Sequence, residues 1–249
     1  MRLARFHLFR SAAALLLLTE TSAAVAQGSA PPAGGGLSVA PVQLSLTDMS
    51  RSVSTVVSNP GADPITVQVR LYSWAMDGEE EVYTPATDAG FSPPLFQLAP
   101  QAAQSVRIVA KVPPGATERS YRLVVDQLPL ANTPGQLQLP VRMILPVFVE
   151  PAQGVSRTTA LEWGARYDPE AKQVTVRAAN RGTVHAKLVD LSVEDGDKST
   201  VIAPGLAGYA LAGQGREWSY HADSTPATLT IRAQDGATTL RVTVPVMPR

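Results

Sequence analysis

From Leu37 onward the chain is written in short runs of Val, Leu, Ile and Thr in which every second residue is apolar, and Gly, Pro, Asn and Asp separate the runs. A period of two is the mark of an extended chain with one buried face, so these runs predict β-strands. Val67, Val69 and Leu71 alternate with Gln68, Arg70 and Tyr72, while Asn59-Pro60-Gly61 and Asp77-Gly78 supply turn chemistry at strand ends. The pattern predicts strands over 37–46, 52–58, 65–74, 82–84, 104–111, 119–127 and 136–149, the strand count of an immunoglobulin-like sandwich. Trp74 reads as a core or rim aromatic. A linker over 151–156 precedes weaker runs at 174–176, 186–193, 228–232 and 240–246. The expected fold is therefore all-β, with two immunoglobulin-like β-sandwich domains over 37–150 and 157–249, and no helix longer than a turn or two. A length of 249 residues suits two domains of roughly 100 residues each.

The stretch GQLQLPVRMILPVFVEP, residues 135–151, carries the alternation further than any other. Leu137, Leu139, Val141, Met143, Leu145, Val147 and Val149 share one face of an extended chain, although a typical strand needs only about five or six residues. Leu145 and Val147, beside Phe148, read as core. The row upstream of them offers more apolar surface than one domain needs. Pro140 and Pro146 are both even-numbered, so the amides they lack would point to one edge of the strand. If that edge is the outer one, the prolines keep the chain from pairing with itself.

Other features narrow the chemistry. Arg2, Arg5 and Arg10 precede a short apolar run closed by Glu20, and Ala24-Val25-Ala26 follows, so residues 1–26 read as a cleaved secretory signal peptide. That apolar run is shorter than the roughly 20 residues of a membrane span, and no later stretch is long enough, so no membrane insertion is expected. Residues 27–36 are Gly-, Ala- and Pro-rich and read as a flexible tether. Without residues 1–26 the chain keeps 18 basic and 20 acidic residues, which gives no electrostatic footprint for nucleic acid. With no cysteine, thiol and Cys-metal chemistry are excluded. His185 and His221, the histidines beyond residue 26, do not stand at metal-ligand spacing. Neither a nucleophile elbow nor a phosphate loop occurs. No catalytic residue, metal or cofactor is therefore expected. The acidic run 77–81 lacks the alternating ligands of a calcium loop and reads as a solvated hairpin turn.

Four stretches in order carry a family likeness: Asn59-Pro60-Gly61; Ser92-Pro93-Pro94-Leu95-Phe96-Gln97-Leu98-Ala99-Pro100 running into 104–108; Tyr121-Arg122-Leu123 through Leu128-Pro129; and Leu145-Pro146-Val147-Phe148-Val149-Glu150-Pro151. The chain resembles the periplasmic pilus chaperones of the chaperone–usher pathway, the PapD-like group. The likeness spans about residues 37–245, more loosely in the second domain through Asn180-Arg181-Gly182 and 208–213. It implies two domains set at an angle. It also implies a periplasmic chaperone that lends its last first-domain strand to pilus subunits and passes them to an outer-membrane usher. Leu137, Leu139, Val141 and, at the margin, Met143 would be the donor residues. The family usually holds the subunit's C-terminal carboxylate with an Arg and a Lys, but Gln43 and Pro146 stand at those places here. Arg142 or Arg122 could supply the cation instead, since Arg matches a carboxylate bidentately. The resemblance also assigns Arg107, Glu118 and Asp235 to a structural ionic network between the domains. The alternative reading is a structural or adhesive sandwich protein of a pilus or cell surface.

Overall fold

The computed structural model describes residues 36–129 and 139–248, so the expected signal peptide and most of the tether lie outside it. The described residues form strands and turns and contain no helix.

The first domain consists of β1 (Ser38–Ala40), β2 (Leu44–Leu46), β3 (Ser52–Ser58), β4 (Ile65–Asp77), β5 (Glu80–Pro85), β6 (Ala89–Ser92), β7 (Leu95–Leu98), β8 (Ala103–Ala110), β9 (Arg119–Leu128) and β10 (Arg142–Val149). One sheet has the order β1-β3-β8-β6; the other runs β2-β10-β9-β4-β5, with β7 also on β4. Between them lies a core of Val67, Val69, Leu71, Val106, Ile108, Leu123, Val125, Leu145, Val147 and Val149. The expected strand over 37–46 is two strands, because the chain crosses from one sheet to the other at 41–43. Thr55 Oγ1, buried, donates to the Pro41 carbonyl at 2.9 Å and holds the crossing in place. Strands β6 and β7 were not legible as alternation, since each has four residues and Pro93-Pro94 separates them.

The last strand of this domain is shorter than the pattern suggests. The Gln127 amide donates to the Val141 carbonyl, and the next hydrogen-bonded pair would set Leu139 opposite Pro129. Proline has no N–H to give, so the ladder ends and β10 begins at Arg142, with 139–141 outside it; positions 136–138 of the expected strand lie outside the described residues.

The second domain holds β11 (Leu161–Asp168), β12 (Gln173–Asn180), β13 (Ala186–Asp195), β14 (Lys198–Ala210), β15 (Gly215–His221), β16 (Thr228–Asp235) and β17 (Thr238–Pro248). Their order is β14-β13-β16-β17-β11-β12-β15, around a core that includes Val174, Val176, Leu188, Leu191, Leu229 and Ile231. Strands β11, β14 and β15 escaped the sequence pattern. Strand β14 carries Pro204, Gly205 and Gly208 and pairs with β13 through register shifts, while β15 buries only Trp218 of its seven residues.

Two Asn-x-Gly sequences do the same work in the two domains. Buried Asn59 donates its amide to the carbonyls of Asp63, Leu98 and Ala99, and its Oδ1 accepts from the Gly61 N–H. Asn180 donates to the carbonyls of Val184 and Ala210 and accepts from the N–H groups of Gly182 and Ala160. A Cβ at Gly182 would stand 2.1 Å from the Thr158 carbonyl, which excludes any other residue there. Asn180→Ala should strand two carbonyls and cost on the order of 3 kcal/mol, measured as a lowered urea midpoint.

Candidate functional site

Strand β10 arranges three kinds of contact. Its odd-numbered side chains face the first-domain core: Val149, Val147 and Leu145 are buried, and Met143 and Val141 are half-buried against the same cluster. Upstream, Leu139 is 75% exposed, and Leu137 lies outside the described residues. Burial thus fades along one face. The Val141 carbonyl points to β9, so the backbone groups of odd residues bond β9 and those of even residues point the other way. Consistent with this, the Glu150 N–H donates to the Leu46 carbonyl of β2. Strand β2 pairs only with Val147–Val149, in parallel, so among the described residues no strand covers that edge upstream of Val147. The edge stripped of amides at Pro140 and Pro146 is therefore the outer one.

Extending the β2–β10 register one step upstream brings Gln43 beside Pro146. That corner holds no cation of its own. Arg122 sits directly across from Pro146 on β9, but it is buried and committed. Its guanidinium bonds Glu81 at 2.8, 2.9 and 3.2 Å and lies 3.5 Å from the Trp74 ring centroid. A second carboxylate would reach it only by displacing Glu81. Arg142 is the more accessible cation, with a side chain 61% exposed. It shares the buried Asp126 carboxylate with Arg70, so two guanidiniums face one carboxylate on the outer surface of the sheet. Burial would raise the Asp126 pKa, but the hydrogen bonds from Arg142 and Arg70 outweigh it and hold the carboxyl below its ordinary range.

The same outward face of β4, β9 and β10 meets the second domain. Trp74, Phe148, Tyr209 and Leu211 form one buried cluster. Trp74 and Tyr209 meet edge to face with centroids 5.3 Å apart, and His185 stacks on Phe148 at 3.8 Å. Polar ties surround the cluster. Gln214 accepts from the Met76 N–H, Gly78 accepts from the Glu217 N–H, and Glu81 also faces Arg216. Tyr83 donates to Glu81, and its hydroxyl is pushed up to about 12 by burial and then by that carboxylate. The acidic hairpin is therefore not merely solvated, because Glu81 turns inward to two arginines. Its place opposite Arg122 could not be read from local spacing, since the two are 41 residues apart.

Glu118 does link the domains: its Oε1 accepts from the His185 N–H and lies 2.7 Å from His185 Nδ1, and its own N–H donates to the Thr183 carbonyl. Arg107 and Asp235 do not join it. Arg107 is on β8, in the sheet away from the second domain, and bonds Ser52 Oγ at 2.8 Å. Asp235 accepts from the Lys187 N–H within the second domain. The expected three-residue network is thus a Glu118–His185 pair, because alternation on β8 turns Arg107 outward between Val106 and Ile108. Among the described residues, no cluster of His, Cys, Asp and Glu could hold a metal ion.

Residues 36–154 match the family of pili and flagellar-assembly chaperones through the PapD N-terminal domain. The match takes in all ten strands of the first domain. A chain of the CsuC–CsuE chaperone–tip adhesion subunit pre-assembly complex, from archaic chaperone–usher Csu pili of Acinetobacter baumannii, is similar at 20% identity and a TM-score of 0.68, over 86% of this chain and all of that one. A chain of the Salmonella enterica SafA pilin–SafB chaperone complex matches at 17% identity and a TM-score of 0.59, over 84% of this chain and 96% of that one. The E. coli chaperone DraB matches at 20% identity and a TM-score of 0.55, over 85% and 97% of the two chains. These likenesses establish the two-sandwich fold. No curated protein matches the chain significantly.

Two outcomes follow from the charged groups. Arg122→Ala removes the guanidinium stacked on Trp74, leaves the half-buried Glu81 with Arg216 as its remaining cation, and should cost about 1–3 kcal/mol in urea unfolding; Arg122→Lys should restore only part of it, since the fork is lost. Because Asp126 titrates below its ordinary value when folded, its contribution is present above the ordinary carboxylate range and is lost as pH falls through the depressed value. Asp126→Asn should therefore lower stability at neutral pH and flatten the further loss below about pH 4 in acid-titrated melts.

Proposed function

We infer that the chain is a periplasmic chaperone that binds and caps pilus subunits by donor-strand complementation. The observation that carries this is the fading burial of the core-facing row of β10 along an edge that no strand of the described chain covers upstream of Val147. A strand of a partner added at that edge would find backbone groups to pair with and, on the core-facing side, Leu139, Val141 and Met143 to cover. Leu137, one step further along the same row in the sequence, joins them as a proposed donor. Burying an exposed Leu or Val is worth about 1.5–3 kcal/mol, so a few such residues are enough to hold a client after ordering costs.

Arg142 is the cation placed to receive a client carboxylate. It lies on the donor strand, is exposed, and shares one carboxylate with Arg70. Arg122 serves the domain interface instead. Delivery to an outer-membrane usher and export behind the signal peptide complete the proposal. Capture uses binding alone, with no nucleotide or metal. The structural or adhesive alternative draws support from none of these features.

The test compares side chains of one row. Leu139→Ala removes an exposed side chain, so the free protein's melting temperature should hold while the yield of subunit copurified from periplasm falls sharply. Val147→Ala, in the core, should cost roughly 1–3 kcal/mol of stability instead. Equal destabilisation by both, with capture intact at low temperature, would reduce the row to an ordinary core strand.

A further inference from the structure

The open edge of β10 is chemically short. Only even-numbered residues present backbone groups to it, and Pro140 and Pro146 have no hydrogen on nitrogen. Between them, Arg142 and Ile144 are the two residues that can donate an N–H to an added strand. Downstream of Pro146 the same edge is already taken by β2, from Leu44 opposite Val147 to Leu46 opposite Val149. The free stretch is continuous with that pairing, so an added strand would take the position in the sheet that β2 vacates where the chain crosses at 41–43.

We propose that Pro140 and Pro146 act as a register gauge that admits the strand of a pilus subunit at one alignment, with its carbonyls on the amides of Arg142 and Ile144; this rests on the donor-strand reading above. Two slips must be excluded for a unique complex. A slip of one residue turns the whole client strand over, so its apolar side chains leave the face shared by Val141 and Met143. A slip of two keeps the faces matched and would pass unnoticed on an edge with continuous amides. Here, for a client segment that brings two carbonyls to this edge, it moves one of them off the Arg142 or Ile144 amide and onto Pro146 or Pro140, where no donor exists and the ring intrudes. The pleat rejects odd slips and the prolines reject even ones. Neither proline weakens the free protein's own ladder, since their missing amides face away from β9.

The experiment follows single amides in the isotope-labelled chain, free and in the periplasmic complex with the subunit that copurifies with the wild type. The Arg142 and Ile144 amides should exchange fast in the free chain and at least about ten-fold more slowly in the complex. Ile144→Pro removes a donor from the open edge alone, so capture should fall at least about ten-fold while the free protein melts like wild type. Ile144→Ala keeps the amide, so its capture should exceed that of Ile144→Pro at least about ten-fold. Pro146→Ala should yield two sets of resonances, with a protected Ala amide in the second. A complex in which Arg142 and Ile144 still exchange fast, or Ile144→Pro capturing as well as Ile144→Ala, would overturn the gauge and leave the chaperone reading standing. Failure of the wild type to capture any subunit would remove both.

Discussion

A single extended segment has to satisfy several neighbours with a period of two, and most of the molecule is arranged around how β10 does so. Its odd side chains close the first-domain core at Leu145, Val147 and Val149, and its even side chains reach Asp126 at Arg142 and the second domain at Phe148. Its odd backbone groups bond β9, and its even ones meet β2 or, among the described residues, no strand. Because alternation couples these, no one contact can shift without moving the rest. The crossing of the first strand at 41–43 decides how much of the even edge stays open: had β1 and β2 been one strand in one sheet, either the edge would be covered further or the other sheet would lose its partner for β3.

The second domain is held against the outward face of the same sheet, and this explains why that face is so unlike an exposed one. Trp74, Phe148 and Arg122 would be costly in water or idle on a free surface. Packed on Tyr209, His185 and Leu211 they form a buried aromatic cluster with a guanidinium stacked inside it. Burial of Arg122 is tolerable because Glu81 comes round on a hairpin to pair with it, and Arg216 approaches the same carboxylate. Such an ion pair fixes orientation more than it stabilises, since two charges had to leave water. The hydrophobic ring contacts supply the favourable free energy; the carboxylate sets where the domains meet.

The sequence made the first domain legible because its longer strands keep strict alternation, as at Val67, Val69 and Leu71 and again at Val147 and Val149. Strands β6 and β7 were hidden by Pro93-Pro94, and β14 by the Pro and Gly residues that accompany its bulges, because a period needs several repeats before it can be seen. The proline parity at 140 and 146 was visible, but which edge it fell on needed one hydrogen bond, from Gln127 to Val141. The ionic residues were the least legible. Arg122 read as a candidate cation for a client carboxylate and Glu81 as part of a solvated turn, and only the register of distant strands puts them together. Arg107 was misassigned for the converse reason: a strand's charge says nothing about which sheet it faces away from.

A protein that offers apolar surface must keep that surface from being used by the wrong partner, and here the protection is built from the same residues as the offer. The exposed face is graded, with Leu139 open and Val141 and Met143 half-covered, so the amount of bare apolar area in the free state is small. The edge beside it is interrupted by two prolines and flanked by Arg142, which together disfavour indiscriminate strand pairing. Neither device costs the fold anything, because the prolines sit where β9 asks for no amide and Arg142 finds Asp126. What remains available is a short row of side chains and a pair of backbone donors. A partner can make good use of them only if it presents an extended strand and an apolar groove together, and that joint requirement, rather than the apolar area alone, gives the edge its selectivity.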